Sequence, residues 1–83
     1  MKFRMKLKFS IHFQQAIIER NINIDHLKKV IRNPDESYAS FGGRSVARKA
    51  VSGKILEVVY IQGATSDTKN EYRIITAYYI LNT

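Results

Sequence analysis

Ten residues near the end of the chain, Glu71 to Ile80, read EYRIITAYYI and do most to limit what it can fold into. β-branched and aromatic residues dominate, and these fit a pleated, half-buried surface. Unbroken alternation puts Tyr72, Ile74, Thr76, Tyr78 and Ile80 on one face and Arg73, Ile75, Ala77 and Tyr79 on the other. Both sets are mostly apolar, so the strand is expected inside a sheet and covered in part on both sides. Arg73 and Thr76 interrupt it, and at this spacing they point to opposite faces. A polar residue in mid-strand is either satisfied locally or belongs to a site built on the sheet.

The remaining segments have to supply that strand with neighbours and a cover. Met1 to Phe9 alternates, with Phe3, Met5, Leu7 and Phe9 on one side and Lys2, Arg4, Lys6 and Lys8 on the other. This is a strand with one apolar and one wholly basic face, fit either to block edge aggregation or to track phosphates. Ser10 is placed to cap a helix from Ile11 to about Asn21, with Phe13, Ala16, Ile17 and Arg20 on one face. Asn23 caps a second helix, Ile24 to Arg32, whose core stripe is Ile24, Leu27, Val30 and Ile31. Asn33-Pro34 stops it.

From there the pattern is β: Ser37 to Phe41, a Gly42-Gly43 turn, Arg44 to Val51, a Ser52-Gly53 turn, and the apolar run Lys54 to Gln62. A polar loop, Gly63 to Asn70, leads into the last strand, and the two final strands are expected to pair antiparallel. The order β-α-α-β-β-β-β makes the chain α+β, with two N-terminal helices packed on a mostly antiparallel sheet. Two helices leave one sheet face at least partly open, and that face is the place to look for a site.

A chain of 83 residues is one domain, taken as residues 1–83, with one small core. The absence of cysteine excludes disulfides and thiolate metal sites, and a reducing cytoplasm is expected. No apolar run reaches transmembrane length, no signal peptide is expected, and no membrane partner is expected. Fourteen Lys and Arg against seven Asp and Glu give a net charge of +7, which calls for a polyanionic partner.

The chemistry is narrowed by exclusion. The carboxylates are scattered without the pairing of a two-metal nuclease. His12 and His26 are too far apart in a chain without cysteine to read as a zinc site, and Gly42-Gly43 lacks the Lys-Ser/Thr of a phosphate loop. Neither a metal nor any other cofactor is expected. The set left over is His12, Arg20, Arg44, Arg48, Lys49, Lys54, Arg73, Thr76, Tyr78 and Tyr79. RNA brings its own nucleophile, the 2′-hydroxyl, so a protein need add only a base, cations for the phosphorane oxygens and an acid for the leaving 5′-oxygen. His12, in the first turn of a helix in a basic domain, is the candidate base. Arg73 is the candidate phosphate clamp. Arg44 and Arg48 share one strand face and Lys49 takes the other. Tyr60, Tyr72 and Tyr78 are available either to stack on bases or to fill the core.

The order of these pieces resembles a widespread group of small prokaryotic domains. His12 at the start of a helix, Glu19-Arg20-Asn21-Ile22, Asn33-Pro34, Gly53-Lys54, Val58-Val59-Tyr60 and Ile74-Ile75-Thr76-Ala77-Tyr78 carry the likeness, from Phe9 to Tyr79. The group is similar to BrnT toxins, whose last strand reads Arg-Ile-Ile-Ser-Ala-Arg. Arg73 to Thr76 matches its start with Thr for Ser, and Tyr78 stands at the second Arg. Asn21 stands where the group has Gly. Through BrnT the chain looks like the RelE-like ribonuclease toxins. The resemblance implies the toxin of a type II toxin–antitoxin pair, a metal-free endoribonuclease with an antitoxin protein as partner. Its site would draw catalytic residues from His12, Arg73, Thr76 and Tyr78, and RNA contacts from Lys6, Lys8, Arg20, Arg44, Arg48, Lys49 and Lys54. The alternative is a non-catalytic nucleic-acid-binding or protein-interaction domain of the same fold.

Overall fold

A computed structural model describes residues 5–80. The basic positions Lys2 and Arg4, and Phe3 beside them, lie outside the described residues.

Local sequence sets the helices. The Ser10 hydroxyl accepts from the Phe13 amide at 3.1 Å and opens helix α1, Ile11–Glu19. The helix closes on Arg20 with Asn21 at φ 54°, while the Asn21 and Ile22 amides turn back to the carbonyls of Ile18 and Ile17. This is the left-handed stop that glycine usually fills and asparagine tolerates. The Asn23 side chain then accepts from the Asp25 amide at 2.8 Å and starts helix α2, Ile24–Arg32.

Five strands form one sheet. They are β1 (Lys6–Phe9), β2 (Glu36–Ala39), β3 (Ser45–Val51), β4 (Lys54–Gln62) and β5 (Glu71–Ile80), in spatial order β1-β5-β4-β3-β2. Three pairings are antiparallel, and β1 runs parallel to β5 at the sheet edge. The expected strand from Ser37 to Phe41 sits slightly earlier, because Phe41–Gly43 tightens into a 3-10 turn that leaves Phe41 exposed. Ser52 and Gly53, at φ 50° and 79°, make the two-residue turn between β3 and β4. Its left-handed backbone follows the natural twist of the strands it joins.

Both helices lie on one side of the sheet, α1 against β5 and α2 against β3 and β4. The core between the layers is Phe13, Ile22, Leu27, Val30 and Ile31 from the helical segment and Ala47, Val51, Leu56, Val58, Tyr60, Tyr72, Ile74 and Ala77 from the sheet. Tyr60 and Tyr72 are therefore core residues, packed edge to face at 5.6 Å between ring centroids.

The structure corrects simple alternation in β5. Tyr60 pairs with Ile74 but Val59 pairs with Thr76, so Ile75 is an extra residue, a β-bulge. Past the bulge the facing reverses. Ala77 and Tyr79 join Tyr72 and Ile74 against the helices, and Thr76 and Tyr78 fall on the same side as Arg73. Ile75 is half-buried and no core member.

Candidate nucleic-acid interface

Among the described residues the second sheet face carries no helix. Directly paired residues share a face, so strand register reads out what lies on it. Lys6 pairs with Glu71, Lys8 with Arg73, and Arg73 with Ile61. Further along, Tyr78 pairs with Glu57, Glu57 with Arg48, and Arg48 with Glu36, a row across four strands. Tyr38 stands one pleat from Glu36, beside Val46.

At the centre of that row is Glu57, the one buried charged side chain among the described residues, at 5% exposure. It follows Ile55-Leu56 and precedes Val58-Val59, so the apolar strand carries it in and alternation turns it away from the core. A carboxylate there needs partners. The Arg48 guanidinium donates to one oxygen and the Tyr78 hydroxyl to the other. Arg48 also lies 5.9 Å from the centre of the Tyr38 ring.

These contacts drive the two acids apart. Burial, the largest single influence, pushes the Glu57 carboxyl up. The hydrogen bonds from Tyr78 and Arg48 and the Arg48 charge together outweigh it and hold the carboxyl below its ordinary value. The Tyr78 phenol is raised, first by its hydrogen bond to Glu57, then by burial and the Glu57 charge. At neutral pH the carboxylate is therefore ionised and the phenol keeps its proton. Arg48 is held charged, chiefly by its hydrogen bond to Glu57.

The cations at the other end of the face are more available. Lys8 bonds Glu71 at 2.7 Å. Lys6 and Arg73 are exposed, and Arg73, Lys8 and Ser10 border an open hollow of about 360 Å³.

The expected site residues thus separate into groups. Arg73, Thr76 and Tyr78 share the open face because of the bulge, joined by Lys6, Lys8 and Arg48. Thr76 is already engaged, since Arg20 donates to its hydroxyl at 3.3 Å and to the Ala77 carbonyl at 2.9 Å. Arg20 thereby fastens the edge of β5 that β1, paired only as far as Ile74, leaves uncovered. His12 is exposed in the first turn of α1, and no hydrogen bond or ion pair ties it to any described residue. It stands on the helix layer, two residues past Ser10 at the rim of that hollow. Lys49 faces the helix side opposite Leu56 and pairs with Asp35 at 3.4 Å, away from the open face. Arg44 is exposed just ahead of β3. Lys54 begins β4 beside Tyr79, on the helix side.

Sequence reasoning missed Glu57. The available signal was a lone carboxylate inside the run ILEVVY, an arrangement that demands a buried partner. Among the described residues no cluster of His, Asp or Glu could hold a metal. Among the described residues no helix is long and apolar enough to cross a membrane.

The chain matches no family model, no curated protein and no solved structure at a significant level.

Proposed function

We propose that this protein binds RNA on the open sheet face and cleaves it without a metal, acting as the toxin of a toxin–antitoxin pair in the cytoplasm. The observation that carries the reading is the Arg48–Glu57–Tyr78 row on an uncovered face of a +7 domain. The ionised Glu57 carboxylate beside the protonated Tyr78 phenol places a proton acceptor beside a proton donor. In the proposed step Glu57 takes the 2′-hydroxyl proton while the 2′-oxygen attacks phosphorus. The bond from phosphorus to the 5′-oxygen breaks, and Tyr78 supplies the proton that oxygen needs. The products are a 2′,3′-cyclic phosphate and a 5′-hydroxyl, and the proton on Glu57 returns to Tyr78 through their hydrogen bond. Arg73 clamps the phosphate and Arg48 offsets the charge that develops on it. Lys6 and Lys8 extend the basic track. The likeness to BrnT and RelE-like toxins supports the same reading and implies an antitoxin that covers this face.

A second reading, a binding module without chemistry, has its own observation. Glu57 is fully engaged by Arg48 and Tyr78, so substrate must displace one of them before it acts as a base. One experiment separates the two. Pure protein is incubated with RNA in excess EDTA, and the fragments are examined for 2′,3′-cyclic phosphate ends. Cleavage that is lost in both Tyr78→Phe and Glu57→Gln, with the fold retained, supports the enzyme. Intact RNA that remains bound to the protein refutes it and leaves the binding module.

A further inference from the structure

On the helix side of the sheet, the α1–α2 turn and the β3–β4 turn border a cavity of about 390 Å³. Its lining includes Arg20, Asn23, His26, Ser52, Lys54 and Tyr79, and no carboxylate. Asp25, in the first turn of α2, does not line it.

Each polar group is held but not used up. Arg20 is anchored through Nη1 on Thr76 and Ala77, which leaves Nε and Nη2 free to donate. The Lys54 ammonium rests 5.2 Å from the centre of the Tyr79 ring. The Tyr79 hydroxyl accepts from the Asn23 amide at 3.4 Å, which ties the ring to the start of α2. Among the described residues neither Arg20 nor Lys54 is paired with a carboxylate. His26 also borders the cavity, with its Nδ1 turned away from water and without a hydrogen-bond partner.

We propose that this cavity binds a phosphomonoester. Two cations with no acid beside them match the two charges of such a group near neutral pH. The cavity falls in the size range of small-molecule sites, so it has room for more than the phosphate itself, such as an attached sugar. Two sources share this chemistry, a free nucleoside monophosphate and the 5′-phosphorylated end of an RNA. The proposal does not depend on cleavage at the open face.

Calorimetric titration of the full chain tests it. The probes are adenosine 5′-monophosphate, adenosine, and short RNAs of one sequence with and without a 5′-phosphate. The monophosphate is expected to bind and adenosine not. Lys54→Ala should weaken binding by about tenfold or more, the loss of a charge-assisted contact, and Lys54→Arg should restore most of it. Lys69→Ala removes the same charge from an exposed lysine outside the cavity and should leave affinity unchanged. Tighter binding of the 5′-phosphorylated RNA than of its 5′-hydroxyl twin identifies an RNA end as the ligand. Tight binding of the monophosphate alone identifies the free nucleotide. Equal binding of adenosine and its monophosphate overturns the proposal, and so does an equal loss in Lys54→Ala and Lys69→Ala.

Discussion

Replacing Glu57 by glutamine keeps the size of the side chain and removes its charge. In the native protein its two oxygens accept one hydrogen bond each, from Arg48 and Tyr78. Glutamine keeps one acceptor and turns an NH2 group toward the other donor, so at least one bond is lost outright. A hydrogen bond to a charged group contributes about 1.5–3 kcal/mol. Two effects reduce the loss. The neutral amide no longer incurs the desolvation cost of a carboxylate that is only 5% exposed. The Arg48 side chain and Tyr78, each 37% exposed, regain some hydration when released. The expected net loss is about 1–2 kcal/mol, or a fall in Tm on the order of 5–15 °C for a domain this small. The pH dependence gives a second check. Glu57 has its folded pKa below the unfolded value near 4.5, so its contribution is complete above that value and fades as pH falls through the folded one. Thermal or urea unfolding of both proteins at pH 7 and at successively lower pH should show the gap at the first and its narrowing as the carboxyl protonates. Equal stability at pH 7, or a gap that persists unchanged in acid, would refute the assignment of Glu57 as an ionised, bonded carboxylate.

Three further outcomes are expected. Leu27→Ala and Leu56→Ala, both at fully buried positions, should each cost about 2–5 kcal/mol by chemical denaturation, whereas Ile75→Ala in the bulge should cost well under half as much; similar losses at all three would place Ile75 in the core. Ser52→Asn should stabilise the protein by roughly 0.5 kcal/mol, because asparagine adopts φ near 50° more readily than serine, and a lower Tm would count against the turn geometry. RNA affinity should fall with salt at a log–log slope of about −0.7 per phosphate neutralised, and Arg73→Ala should flatten that slope by nearly one such unit; an affinity indifferent to salt would remove the open face as an RNA track.

Much of the fold was legible because it rests on short-range chemistry. Ser10 and Asn23 cap helices through amides two or three residues away. The β-branched runs of β4 and β5 exclude helix from within, and both strands begin and end where the composition changes. The open face followed from counting layers. Its basic character followed from alternation in the first strand, of which only Lys6–Phe9 lies among the described residues.

The candidate site was less legible. Arg73 and Thr76 stood out as residues in need of a reason, but alternation placed Arg73 on the face opposite Thr76 and Tyr78. The bulge that reunites them is a property of the β4–β5 pairing and has no local mark in β5. Glu57 escaped notice because its partners come from other strands, Arg48 nine residues before it and Tyr78 twenty-one after. His12 drew attention by its helix position, yet that position faces solvent. His26 was weighed as half of an unconvincing zinc pair, but it lines a cavity that only forms once the β3–β4 turn folds against α2. Sequence alone therefore determined which segments are helix or strand, that two layers leave a face bare, and that the chain carries a strong positive charge, since propensity, capping and net charge act within a few residues or over the whole chain. Which charged and polar groups meet was decided only by strand register and the one bulge that shifts it, because contacts between distant residues depend on pairing that no single segment encodes.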